Sequence, residues 1–195
     1  ALSGTFRFDG EFDEAERLYR DSLDIRRRHY EPEHQSVARA QHNLARVLLA
    51  LGRVPEAQEL VRAALATRLK VLPAGHFETA LSKTLLGKVL AARGLAAEAA
   101  PLVLEAVNEL RAAVEQDPKY AIYGLMTLSE LHRRAGRAQQ AEPFARDAAE
   151  RATRLPAGHW QRAAAQVELA ATLAGLQRAG EAAQLLVADG RNLWF

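Results

Sequence analysis

The chain has 195 residues, 49% of them hydrophobic, enough for one sizeable core or for a string of repeated units that share a continuous one. Its 26 basic residues nearly balance 24 acidic ones, and the net charge of +2 gives no whole-chain case for nucleic acid or an anionic membrane as partner. Zero cysteines exclude a disulfide framework, a thiolate metal site and a cysteine nucleophile, and no stretch approaches the roughly 20 uninterrupted apolar residues of a membrane span.

Ala, Leu, Arg and Glu dominate while the β-branched and aromatic residues that favour strands are sparse, so the expected fold is all-α. The first residues lack the basic-then-apolar layout of a signal peptide and there is no initiator Met. The expectation is a cytoplasmic segment of a longer chain.

In chain order, ALSGTFRF reads as the back half of a helix, with Leu2, Ser3 and Phe6 on one side and a turn expected at Gly10. A second helix follows, marked by Ala15, Leu18, Tyr19 and Ser22, spaced as one stripe of an α-helix. The carboxylates of EFDEAE are expected at its start, where they complement the helix dipole, and the basic run IRRRHY at its end for the same reason. After the joint PEHQSVA comes a helix carrying Leu44, Ala45 and Leu48, a turn at Gly52, and a helix carrying Ala57, Leu60, Val61 and Ala64. The joint PAGHFETA leads to Leu86, Gly87 and Leu90, a turn at Gly94, then Ala99, Leu102, Val103 and Ala106. The third joint, EQDPKYAI, precedes Leu128, Ser129 and His132, a turn at Gly136, and Ala141, Phe144, Ala145 and Ala148.

Gly10, Gly52, Gly94 and Gly136 are each 42 residues apart. The stretch LPAGH occurs at Leu72 and again at Leu155, a separation of 83, because the fourth unit has lost one residue in its joint. The deletion puts the fifth turn at Gln177, where LQRAGEA lines up with LGRVPEA and Glu181, Ala182, Leu185 and Leu186 fill the expected places. Each unit therefore reads as helix, tight turn, helix and a Pro-containing joint. One pair cannot bury its stripe alone, so neighbours must stack. Small residues at Ala45, Gly87, Ser129 and Ala170, facing Ala57, Ala99, Ala141 and Ala182, allow close approach of the paired helices.

This pattern resembles the tetratricopeptide repeat (TPR), whose usual period is about 34 residues. The 42-residue period and the PEHQSVA and PAGHFETA joints resemble the kinesin-light-chain variety, most clearly from Ala15 to Leu65. Gln35, Phe77 and Trp160 depart from that pattern by standing where the family commonly has Pro, and EQDPKYAI by lacking a His. The resemblance implies a right-handed α-α superhelix of about four and a half helix pairs, a single array over residues 1–195 truncated at both ends.

It also implies a ligand groove lined by the first helix of each pair. The family's contact positions fall on Arg39, His42, Asn43, Arg46 and Leu49, then Leu81, Thr84, Leu85, Lys88 and Ala91, then Tyr123, Met126, Thr127, Glu130 and Arg133. Arg39, Arg46 and Lys88 would make the early groove cationic, and Asn43 can donate to and accept from a peptide backbone at once, which suggests an extended acidic peptide. His34, His76 and His159 occupy equivalent joints and read as helix-entry residues, since repeats stack about 10 Å apart and zinc ligands sit about 2 Å from one ion. His132 fills an apolar slot and reads as core.

No G-x-S-x-G, H-E-x-x-H or Gly-rich phosphate loop is present, and no cofactor is implied. The expected function is non-catalytic: an interaction scaffold for a peptide or protein segment, with neither nucleic acid nor membrane as partner. Two other readings stand beside it. Such repeats commonly accompany kinase or nucleotide-switch modules, which would make this the sensor region of a larger bacterial signalling protein. Uncapped solenoid ends, including the tail Leu193, Trp194 and Phe195, would support a homo-oligomer.

Overall fold

The computed structural model describes residues 3–113 and 118–190, with side chains over 13–111 and 118–185. The described residues form nine helices and no strand. They are α1 Ser3–His29, α2 Gln35–Ala50, α3 Val54–Val71, α4 Phe77–Ala92, α5 Ala96–Ala113, α6 Pro118–Arg134, α7 Ala138–Ala152, α8 Trp160–Gly175 and α9 Ala179–Gly190. Their contacts divide the chain into two compact units, Ala1–Leu95 and Ala96–Phe195. In the first unit α2 packs against α1 and α3, α3 against α4, and α2 reaches α4. In the second, α5 packs on α6, α6 on α7, α7 on α8 and α8 on α9, while α6 and α8 lie side by side.

Local chemistry sets each joint. At the end of α2, Gly52 takes φ +75° and the Arg53 N–H donates back to the Leu48 carbonyl at 2.8 Å. This six-to-one bond satisfies one of the carbonyls that every helix end leaves unpaired. The same closure recurs as Leu95 to Leu90, Arg137 to His132 and Arg178 to Leu173, each at 2.9 Å. Gln177 fills the left-handed position in the last of these with φ +62°. Four of the five expected turns therefore stand where the 42-residue count places them.

The fifth does not. α1 runs unbroken from Ser3 to His29 and passes through Gly10. Carrying the helix through Gly10 costs about 1 kcal/mol for a Gly in the interior, which a helix of 27 residues absorbs. The carboxylates of EFDEAE are consequently not at a helix start: Glu16 instead holds Arg20 at 2.8 Å and reaches Arg53 at the next turn. The basic run does close α1, with Arg26, Arg27, Arg28 and His29 in its last turn.

The small-residue seam is closed. Ala45 and Ala57 between α2 and α3, and Ser129 and Ala141 between α6 and α7, are all 0% exposed. Ala170 and Ala182 are buried between α8 and α9, within a cluster with Ala145, Leu169 and Leu173. His132 is half-buried and stacks on Phe144 of α7 at 5.7 Å between ring centroids. Burial, followed by the charge of Arg137, holds its pKa below the ordinary histidine value. The expectations for Leu2, for the side chains of Ser3, Phe6 and Leu186, for residues 114–117 of the third joint, and for Leu193, Trp194 and Phe195 lie outside the described residues.

Candidate binding face

The joints fix where each first helix begins. His34, His76 and His159 have extended backbones just ahead of α2, α4 and α8. Each imidazole Nδ1 accepts from a backbone N–H two residues on: Ser36 at 3.1 Å, Glu78 at 3.2 Å and Gln161 at 3.3 Å. They are N-caps, taking the place usually held by Ser, Asp or Asn. Among the described residues no three His, Asp or Glu side chains converge as metal ligands would, and no helix is long and apolar enough to cross a membrane.

On α2, Arg39 and Arg46 are exposed and Asn43 between them is half-buried, so the three follow one another along a single stripe. Lys88 is half-buried on α4. His42, by contrast, is interior: only 9% of it is exposed, and its Nδ1 lies 3.4 Å from the Ser82 hydroxyl of α4. Arg68 of α3 completes this cluster, donating to Ser82 Oγ at 2.7 Å and to the Glu78 carbonyl at 2.8 Å. With Arg68 on one lone pair of Ser82, the hydroxyl can donate to Nδ1 of a neutral His42 or accept from it, according to the tautomer. Burial, then the charges of Arg68 and Arg46, push the His42 pKa down to about 3. Burial also lowers the pKa of Arg68, opposed by the Glu78 carboxylate.

Thr84 is 0% exposed and its hydroxyl donates to the Ala80 carbonyl of its own helix at 3.0 Å. In the second unit, Thr127 is 2% exposed and donates to the Tyr123 carbonyl at 2.9 Å. His42, Thr84 and Thr127 are thus corrected from groove surface to interior. Tyr123 and Arg133 are half-buried. Both Nε and Nη2 of Arg133 contact Glu168 of α8 at 3.2 Å, and Glu168 also accepts from Ser129 at 2.9 Å. The bond to Glu168 raises the Arg133 pKa and compensates its charge within the fold. The outward positions are therefore Arg39, Asn43, Arg46 and Lys88 in the first unit, and Tyr123 with the compensated Arg133 in the second.

The tetratricopeptide repeat family matches residues 1–70 and 37–112, more than half of the chain. The chain is a tetratricopeptide repeat protein. No curated protein matches it. Among solved structures, a kinesin light chain of Podosopora anserina with nearly identical TPR-like repeats is similar at 26% identity and TM-score 0.71, covering 98% of this chain and 91% of that one. BtubC (BKLC) of P. vanneervenii is similar at 18% identity and TM-score 0.75, covering 95% and 74%. YrrB, a TPR protein with an unusual peptide-binding site, is similar at 18% identity and TM-score 0.52, covering 97% and 82%. The last two are likenesses of fold.

This TPR chain also carries a charge lattice that sequence reasoning passed over. Arg53, just after the Gly52 turn, bonds Glu56 of its own helix at 2.6 Å and Glu16 of the preceding second helix, while Arg20 bonds Glu56 at 3.2 Å and Glu16 at 2.8 Å. Arg178, Glu181, Glu142 and Arg146 repeat the arrangement between α7 and α9, with Arg178 to Glu181 at 2.6 Å and to Glu142 at 2.7 Å. The signal was an Arg one residue and a Glu four residues after the turn at both Gly52 and Gln177. Its partners stand 36 or 37 residues back, a spacing that no within-helix rule looks for. In this TPR protein the lattice braces successive second helices and leaves the first-helix stripe of α2 unbraced.

Proposed function

We propose that this TPR protein is a non-catalytic interaction scaffold that docks an extended acidic peptide segment along the α2 stripe of Arg39, Asn43 and Arg46, with Lys88 of α4 beside it. The observation that carries the reading is a contrast in pairing. Arg20, Arg53, Arg133, Arg146 and Arg178 all hold carboxylates, whereas Arg39 and Arg46 are exposed and hold none among the described residues. Two cations on one stripe, with His42 kept neutral beneath them and Arg68 buried behind, give a positive field that a peptide carboxylate would relieve. Asn43 lies between them, able to accept a peptide N–H and donate to a peptide carbonyl. The likeness in fold to a TPR protein with a peptide-binding site agrees with a peptide as ligand.

The test is fluorescence anisotropy with a labelled glutamate-rich peptide as class probe, across a salt series. Arg39→Glu with Arg46→Glu is expected to weaken binding about tenfold or more at low salt and to flatten the salt dependence. Both side chains are exposed, so helical circular dichroism should not change. Unchanged affinity and salt slope in the double variant would refute the reading.

A further inference from the structure

Arg39, Asn43 and Arg46 stand at fixed heights on α2. A helix rises about 1.5 Å per residue, so the two arginines are about 10.5 Å apart along its axis and only about 20° apart around it, with Asn43 between them about 6 Å from the first. No hydrogen bond or ion pair engages any of the three among the described residues. The stripe is outward by its place in the repeat. The positions of Arg39 and Arg46 recur as Leu81 and Lys88 on α4 and as Tyr123 and Glu130 on α6, and all four are half-buried although α4 packs on α2 and α6 on α8. The position of Asn43 recurs as Leu85, Thr127 and Glu168, so cation, amide and cation come together on α2 alone among the described first helices.

A partner that meets both arginines needs two anions at about that separation on one side. Along a β-strand, same-side residues are about 6.8 Å apart at i, i+2 and about 13.6 Å at i, i+4, one short of the span and the other beyond it. A polyproline II segment has three residues per turn at a rise of about 3.1 Å, so i and i+3 share a side about 9.3 Å apart. An α-helix matches at i and i+7, but its N–H and C=O groups are bonded to one another and leave Asn43 without a partner. Polyproline II makes no internal hydrogen bonds, and a residue between the two anions offers both groups to the Asn43 amide.

We propose that the α2 stripe recognises two carboxylates three residues apart, Glu-x-x-Glu, on a polyproline II segment: Arg39 and Arg46 each take one carboxylate and Asn43 takes the backbone between them. This rests on the acidic-peptide reading and gives that ligand a spacing and a conformation. The test is fluorescence anisotropy at low salt with labelled peptides of one length and one net charge. Three carry two glutamates in a proline-rich host, two, three or four residues apart, with a non-proline residue between them; a fourth carries them seven apart in an alanine-rich helical host. The three-apart peptide is expected to bind about fivefold or more tighter than each of the others, and Asn43→Ala to weaken it by about the same factor, in keeping with one net hydrogen bond.

Alanine is a better helix former than asparagine, so Asn43→Ala keeps the helical spectrum. Should it fail to, Asn43→Asp replaces it with the same expected loss, because it keeps the shape, removes the amide donor and sets a carboxylate between the arginines. A three-apart peptide that binds no tighter than any one of the others overturns the proposal, as does wild-type affinity for it in Asn43→Ala. If the glutamate-rich probe still binds and the Arg39→Glu, Arg46→Glu variant still loses it, the acidic-peptide reading survives that result. Binding by none of the peptides, the glutamate-rich probe included, overturns both.

Discussion

Gln177 is the one non-Gly residue with positive φ among the described residues, and it closes α8 in a turn that Gly52, Gly94 and Gly136 close elsewhere. An L-residue in the left-handed region brings its Cβ close to the following carbonyl oxygen at a cost of about 1–2 kcal/mol. Gln177→Gly removes that cost, but the unfolded chain gains freedom worth about 0.4–1 kcal/mol. Gln177 is exposed, so no packing is lost. The net is a stabilisation of about 1 kcal/mol, which for a chain of this size raises the thermal midpoint by about 2–4 °C.

The mirror substitution checks the origin of the effect. A Cβ on Gly94 meets nothing within 4 Å, so Gly94→Gln is destabilising through the backbone alone, by a similar amount. Urea unfolding followed by circular dichroism measures both. A Gln177→Gly variant no more stable than wild type would refute the reasoning, because it would mean that the side chain contributes more than the strained backbone loses.

Three further outcomes follow from the same structure. The folded pKa of His42, about 3, lies below the ordinary value of 6.5, so its contribution to stability is complete above pH 6.5 and is lost as pH falls toward 3. Wild type is therefore expected to lose about 2 kcal/mol more than His42→Gln between pH 7.5 and pH 5, and parallel stability profiles for the two would contradict a buried neutral His42. Ala57→Phe overpacks a seam residue with 0% exposure and is expected to cost about 1–3 kcal/mol or more and broaden the helical melt; a wild-type melting curve would remove Ala57 from the seam. Gly10→Ala is expected to stabilise by up to about 1 kcal/mol because Gly10 is interior to α1, whereas a destabilised variant would mean a left-handed turn there.

The turns at Gly52, Gly94, Gly136 and Gln177 were legible in the sequence because a left-handed helix end demands a particular residue at a particular count, and Gln177 was found by the count alone. Gly10 satisfied the same count and still lies inside a helix: whether a hairpin closes depends on what its first arm packs against, which local chemistry does not carry. The buried alanines were equally readable, since the i, i+3, i+4, i+7 stripe and the core face coincide.

The candidate site was legible only in part. Arg39 and Arg46 are exposed and Asn43 is half-buried, but His42, one step along α2, and Thr84, its counterpart on α4, are interior. His42 turns toward Ser82 of the following first helix, so the stacking of repeats decides what a ligand could reach. The partner of Arg133 could not be foreseen either, because Glu168 lies 35 residues on and belongs to the next first helix.

The most direct measurement is hydrogen exchange by mass spectrometry of the intact chain with and without the glutamate-rich probe peptide. If the α2 stripe holds the ligand, added protection falls on the segment 39–46 of α2 and disappears in the Arg39→Glu, Arg46→Glu variant. Protection confined to α1 and α3, or the same protection in wild type and variant, would contradict it.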